Sequence, residues 1–170
     1  MKKSVYLNYG GVAPLSARTF LEMARFLFHF YLLGPRSALL KYEALIPLLS
    51  KEIAKLINCE PEEVVYLKNT SEGIIIAAES LPLTSGDEVL VLRFEYPANL
   101  IPWLKKRHDG IDVKVIEGPD TPTAFNTLIN SINERTKAIA ISWVQYYDGY
   151  MIDLERLSDI CKAKGIYLVV

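Results

Sequence analysis

An excess of charge of either sign is missing from this chain. Nineteen Lys and Arg are set against 20 Asp and Glu in 170 residues, a formal net charge of −1. With no basic footprint, neither nucleic acid nor an anionic membrane is an expected partner. Cysteine is scarce: Cys59 and Cys161 stand far apart and lack metal-ligand spacing. Both read as reduced core thiols of a cytoplasmic protein. No apolar run is long enough to span a membrane without charges. The richest, Phe20 to Leu33, is interrupted by Glu22, Arg25 and His29 and reads as an amphipathic helix that needs a partner for its apolar face. Met1-Lys2-Lys3 leads into a short mixed segment, so no signal peptide is expected. There is no G-x-G-x-x-G and no G-x-x-x-x-G-K-[ST], which removes the usual phosphate loops of nucleotide binders. Internal repeats and low-complexity segments are absent too.

What remains is a globular composition. Hydrophobic residues make up 51% and charged residues 23%, enough apolar material for a core of its own. The pattern changes near residue 60, which divides the chain into a helical part (1–60) and an alternating part (61–170). In the first part, Val5 to Leu7 is a short extended piece and Asn8-Tyr9-Gly10-Gly11 a turn. Pro14 suits the first position of a helix to about Leu33, closed by Gly34-Pro35. A second helix, from about Ser37 to Ile57, lines Tyr42, Leu45, Leu49, Ile53 and Leu56 on one face and kinks at Pro47.

From Val64 onward, strands are expected at Val64–Leu67, Glu88–Leu92, Asp112–Ile116, Ala138–Ser142 and Ile166–Val170. Helices fall between them at Ser71–Leu81, Ala98–Arg107, Thr123–Asn130 and Leu154–Lys164. Asp153 and Gly165 punctuate the last helix. The strands are continuous apolar runs, as expected for strands buried on both faces, and the alternation implies an α/β layered domain.

Ligands of such sheets bind beyond the C-terminal ends of the strands. Three loops qualify: Asn69-Thr70-Ser71-Glu72, Glu95-Tyr96-Pro97-Ala98-Asn99, and Trp143-Val144-Gln145-Tyr146-Tyr147-Asp148-Gly149. At the first, Asn69 can cap a helix and Glu72 can answer it in a variant of the capping box. The free N–H groups of that helix start, the Thr70 and Ser71 hydroxyls and the helix dipole together make a phosphate seat. With the aromatic and amide loops, it could surround a flat phosphorylated molecule.

Read in order, these loops resemble the class V aminotransferases, the fold-type I enzymes that use pyridoxal 5′-phosphate. The likeness is to the isopenicillin N epimerase-like and cysteine desulfurase-like branch. Tyr6-Leu7-Asn8-Tyr9-Gly10-Gly11-Val12-Ala13-Pro14 resembles the family's N-terminal substrate loop, and Asn69-Thr70-Ser71-Glu72-Gly73 its phosphate-binding helix start. Glu95-Tyr96-Pro97-Ala98-Asn99 stands where a side chain stacks on the pyridine ring. Ile141-Ser142-Trp143-Val144-Gln145-Tyr146 resembles the strand end that contacts the ring hydroxyl. The resemblance implies a three-layer α/β/α large domain with a mainly parallel sheet, preceded by two N-terminal helices. Thr70, Ser71 and Glu72 would form the phosphate end of the cofactor site, Tyr96 would lie over the ring and Gln145 would bond the ring oxygen. Relatives often place Asn one position along, where this chain has Tyr146. Asn8, Gly10 and Gly11 would meet an amino-acid substrate. His29 and His108 match no family motif and read as a helix-face and a solvent-exposed residue.

The resemblance also implies an incomplete catalyst. The family's Asp beside the pyridine nitrogen, its Schiff-base Lys and its small C-terminal domain belong beyond Val170. No lysine here matches the family position, Lys68 and Lys137 included, and neither cysteine stands in for a desulfurase's persulfide-forming Cys. The chain is therefore expected to be the N-terminal portion of such an enzyme, inactive alone and without covalent cofactor attachment. Its catalytic list is empty, and no metal site is expected. The family's N-terminal helices pack on the C-terminal domain and a partner subunit. Phe20, Phe26, Leu27, Phe30 and Tyr31 would lose that cover, which implies a homo-oligomer or pairing with the missing C-terminal half. The alternative is a non-enzymatic remnant that binds a protein partner or a phosphorylated small molecule.

Overall fold

The computed structural model describes residues 5–170; the Met1-Lys2-Lys3 start lies outside them. The chain divides into two compact units, Met1–Tyr66 and Leu67–Val170.

The first unit is helical. Val5 to Leu7 forms no strand, and the first helix, α1 (Ala17–Glu43), begins three residues after Pro14. The Ser16 hydroxyl accepts from Thr19 N–H at 3.0 Å, and this cap fixes the start instead of the proline. Gly34 interrupts α1 with a left-handed φ of 75° and a ψ of 165°, after which the helix resumes through Pro35. The expected stop is thus a sharp kink, because Pro35 can open a new helical segment without needing an N–H partner. The expected second helix breaks at Ala44–Leu45. This sets Pro47 in the first turn of α2 (Ile46–Ile57), where its missing N–H costs nothing. Asn58 closes α2 in the left-handed region (φ 56°), a conformation Asn tolerates better than most residues. Cys59, next along, is only partly buried, so it is not a core thiol. The apolar stripe on these helices is largely open: Tyr31 is 82% exposed, Leu27 64%, Phe20 61% and Leu56 83%.

The second unit is built on a four-stranded, all-parallel sheet, strand order β2-β1-β3-β4. Its strands are β1 (Glu88–Leu92), β2 (Asp112–Ile116), β3 (Thr136–Ala140) and β4 (Tyr167–Val169). The helices are α3 (Thr70–Ser80), α4 (Pro97–Lys105), α5 (Thr121–Ser131) and α6 (Leu154–Lys164). Strand β1 is buried at every residue. Successive strand side chains point to opposite faces, so it serves two cores. Val89 and Val91 join Ile74 and Ala78 of α3 and Trp103 of α4, whereas Leu90 and Leu92 join Phe125 and Leu128 of α5 and Leu157 and Cys161 of α6. Helices on both faces of a parallel sheet make this unit a three-layer α/β/α sandwich. Cys161 is a core thiol, and burial pushes its pKa up. Asp153 accepts from Arg156 N–H at the start of α6, and Gly165 (φ 63°) ends it. Val64–Leu67 is the expected strand that does not form. Among the described residues its backbone has no ladder partner, and Val65 is 73% exposed.

At the N-terminal end of the sheet Glu88 is fully buried. It pairs with Lys114 and accepts hydrogen bonds from Thr136 Oγ1 (2.6 Å) and Asn133 Nδ2 (2.8 Å). Burial alone would push its pKa up. The bonds from Lys114, Thr136 and Asn133 and the lysine's charge outweigh it and hold the carboxyl below its ordinary value. A depressed folded-state value stabilises the fold above the unfolded pKa, and that contribution is lost as pH falls through the folded pKa. Urea titrations should therefore find Glu88→Gln less stable by about 1–3 kcal/mol at pH 7, with the gap closing as the pH drops below the ordinary carboxylate range. A gap that stays constant to pH 3 would contradict this.

Candidate cofactor site

The sheet's C-terminal ends carry the loops that sequence reasoning singled out. Asn69 is the N-cap of α3: its Oδ1 accepts from Glu72 N–H at 2.9 Å. Glu72 answers one residue further back than a capping box requires. Its Oε2 accepts from Lys68 N–H at 2.8 Å, and Lys68 Nζ stands 3.9 Å from the other oxygen. Glu72 is therefore spent on bracing the turn. The N–H groups of Thr70 and Ser71, in the first turn, make no backbone or side-chain bond among the described residues, and both residues are exposed.

Ser71 and Tyr96, from different loops, line one pocket of about 310 Å³, together with Ile75, Pro97, Ala98, Ile101 and Pro102. One end thus offers an anion seat with a hydroxyl, and the other an aromatic ring over apolar walls. Tyr96 is half exposed and meets Tyr146 edge to face, centroids 5.2 Å apart. Beside them Phe94 stacks on Tyr147 at 4.6 Å and 11°. These pairs tie the loop after β1 to the loop after β3, each contributing about 0.5–1.5 kcal/mol beyond area burial.

Gln145 neither faces solvent nor lines that pocket. It is 1% exposed, and it lies against Glu95, itself 2% exposed. The Glu95 carboxyl accepts from Gln145 Nε2 (2.6 Å), Ser142 N (2.7 Å), Ser142 Oγ (2.6 Å) and Asn99 Nδ2 (3.0 Å). Asn99 Oδ1 in turn accepts from the buried Trp103 Nε1 at 3.4 Å. Among the described residues no cation pairs with Glu95; neutral dipoles solvate it instead. The loop is also braced from α5: Asp148 Oδ1 accepts from Tyr150 N–H (3.0 Å) and Oδ2 from Thr121 N–H (3.4 Å). The bond from the Tyr150 N–H, opposed by partial desolvation and helped by Thr121, holds the Asp148 carboxyl below its usual range.

The three expected substrate residues lie in the first unit. Asn8 is occupied locally: its carbonyl accepts from Gly11 and Val12 N–H, and its Oδ1 from Gly11 N–H at 3.2 Å. A Cβ on Gly11 would stand 2.7 Å from the end of the Asn8 side chain and would displace it, whereas Gly10 has open space around it. His29 bonds Tyr42 (3.2 Å), and His108 is exposed in a short 3₁₀ helix. Among the described residues no cluster could hold a metal ion, and no helix is long and apolar enough to cross a membrane.

The Aminotransferase class-V family model matches residues 5–170. The chain belongs to that family. A probable cysteine desulfurase of Methanothermobacter thermautotrophicus is 31% identical over 121 residues, 70% of this chain and 30% of its own length. The uncharacterized aminotransferase YcbU of Bacillus subtilis is 29% identical over 119 residues, 70% of this chain and 32% of its own. The chain thus spans about a third of the length of these curated relatives. Among solved structures, the cystine C-S lyase C-DES in complex with its reaction product cysteine persulfide superposes with a TM-score of 0.80 at 19% identity, over 96% of this chain and 44% of that one. DndA from Streptomyces lividans does so at 0.78 and 17%, over 96% and 48%. At such identities these structures establish the fold, that of fold-type I enzymes. Within this class V chain, Glu95 is the residue whose weight sequence reading missed. Its Asn four positions on and the Ser and Gln three apart after β3 were the available signal, but only the fold brings them together.

Asn69→Ala should lower the stability of the second unit by about 1 kcal/mol, because it removes the α3 cap. Thermal or urea unfolding measures it, and an unchanged midpoint would show that Glu72 and Lys68 hold the turn without Asn69.

Proposed function

We propose that this chain supplies the phosphate- and ring-binding part of a pyridoxal-phosphate enzyme that acts at the α-carbon of an amino acid. The observation that carries the reading is the shared pocket of Ser71 and Tyr96. The residues fit the group: two N–H groups without a partner among the described residues and a hydroxyl suit the phosphate, and Tyr96 suits the ring, whereas Gln145 lies outside that pocket. When bound, pyridoxal phosphate supplies an electron sink for charge that develops at that carbon. Thr70 and Ser71 would anchor the phosphate, with Glu72 bracing the turn beneath them. Tyr96, Phe94, Tyr146 and Tyr147 would fix the ring plane and exclude water. Asn8, Gly10 and Gly11 would form the substrate loop.

The relatives named cysteine desulfurase favour C–S bond cleavage of an amino acid as the reaction of the whole enzyme. Epimerisation, as in the isopenicillin N epimerase-like branch, and transamination start at the same carbon. Among the described residues no lysine lines the Ser71–Tyr96 pocket: Lys68 reaches Glu72, and Lys137 Nζ donates to Glu134 O at 2.9 Å. By itself the chain would hold the cofactor without a covalent bond and would be inactive. The open apolar faces of the first unit favour self-association, or pairing with a further polypeptide of the same enzyme. Clean monomer behaviour in light scattering at micromolar concentration would count against that. The same open faces are what a non-enzymatic remnant would use to bind a protein partner, and its signature would be partner binding with no phosphate-dependent ligand affinity.

Pyridoxine 5′-phosphate has no aldehyde and tests the site without covalent attachment. Ser71→Ala should weaken its binding about five- to tenfold, the worth of one hydrogen bond, and leave unphosphorylated pyridoxine unaffected. Tyr96→Ala should weaken both. Equal affinity of wild type and Ser71→Ala for the phosphorylated probe would overturn the phosphate assignment.

A further inference from the structure

Tyr96 reaches the Ser71 pocket from a backbone with little freedom left. Pro97 follows it, and a residue before proline is kept out of the α region. Tyr96 accordingly sits at φ −60° and ψ 141° as the N-cap of α4. Its carbonyl accepts from Asn99 N–H (2.8 Å) and Leu100 N–H (3.1 Å). Only the side-chain torsions remain to be set, and the ring is half exposed. Tyr146 stands against that ring, perpendicular at 88° with centroids 5.2 Å apart. Tyr146 does not line the pocket, so it acts on a ligand there through Tyr96. The two loops also meet side chain for side chain. Gln145 bonds Glu95, Tyr146 meets Tyr96, and Tyr147 stacks on Phe94. Backbone bonds of 2.9 Å to Tyr150 O and from Gly149 N–H fix Gln145 further. Tyr146 is thereby held from both neighbours, a buried amide before it and a stacked ring after it. The Ser71 end has a separate origin, since Asn69 sets the start of α3 by accepting from Glu72 N–H.

We propose that Tyr146 is a positioning residue that sets specificity: it holds the Tyr96 ring in one plane at the pocket, so that the site prefers a flat aromatic phosphate to a puckered, saturated one. This inference rests on the cofactor-site reading above and adds the residue that makes the ring end selective. A planar ligand can lie along a fixed aromatic ring and keep contact over its whole face, whereas a sugar touches it with a few atoms. A Tyr96 released from Tyr146 would spread over its rotamers and lose that difference. The phosphate seat would persist, because Asn69 and Glu72 build it without either tyrosine.

The test titrates the chain with pyridoxine 5′-phosphate and with ribose 5-phosphate, which carries the same phosphate on a saturated ring. Wild type should bind the flat probe about three- to tenfold more tightly, the worth of one ring stack. Tyr146→Ala should bring the two probes to about parity and leave the affinity for ribose 5-phosphate unchanged, which also reports that the variant is folded. Tyr146→Phe should keep the preference, because the contact is ring on ring. In a Tyr96→Ala background, Tyr146→Ala should cost nothing further. A Tyr146 that merely supports the fold would weaken both probes alike and leave their ratio unmoved; that result overturns the proposal. So do a preference that survives Tyr146→Ala, a Phe variant no better than Ala, and losses that add in the double variant. Equal, phosphate-dependent binding of the two probes by wild type overturns this inference and leaves the phosphate seat standing. Absence of phosphate-dependent binding by wild type overturns the cofactor-site reading and this inference with it.

Discussion

Strand β1 must be buried on both sides, and the architecture of the second unit follows from that. Val89 and Val91 face α3 and α4, while Leu90 and Leu92 face α5 and α6. Neither core can form without this strand, because each takes alternate residues from it. Parallel pairing with β2 and β3 then satisfies its backbone on both edges. It also sends the following loops to the same end of the sheet. Residues far apart in sequence, Tyr96, Ser142 and Gln145, come to one end through that constraint and not through any local motif.

The two ends of β1 handle a buried carboxyl in different ways. Glu88, at the N-terminal end, is paired with a lysine and titrates with the fold's stability. Glu95, beyond the C-terminal end, meets only neutral donors among the described residues. A cation at Glu95 would place a fixed positive charge beside the loops that carry Tyr96 and Gln145. Neutral dipoles fix the geometry of these loops without adding charge.

Much of this was legible in the sequence, for identifiable reasons. Glu88–Leu92 and Asp112–Ile116 are found at their expected bounds because buried parallel strands are short apolar runs between turn residues. Asn69, Asp153 and Gly165 were readable because caps are local chemistry. Where tertiary context decides, the sequence was silent. Val64–Leu67 has strand composition but no neighbour among the described residues to pair with. Gly34-Pro35 has the composition of a helix stop, yet the chain kinks there and continues. Glu95 looked like one more loop carboxylate, because its four donors come from one loop and a helix that only the fold brings to it. The class V family model matches residues 5–170, in agreement with the family that the loops resemble.

The central claim is that the start of α3 is a phosphate seat facing a ring site. The most direct measurement is an amide-resolved NMR titration of the chain with pyridoxine 5′-phosphate. The account predicts that the Thr70 and Ser71 backbone amides shift first and most, with the Tyr96 amide following. Unphosphorylated pyridoxine should leave Thr70 and Ser71 where they were. Shifts confined to other residues, or equal responses to the two ligands at Thr70 and Ser71, would contradict it.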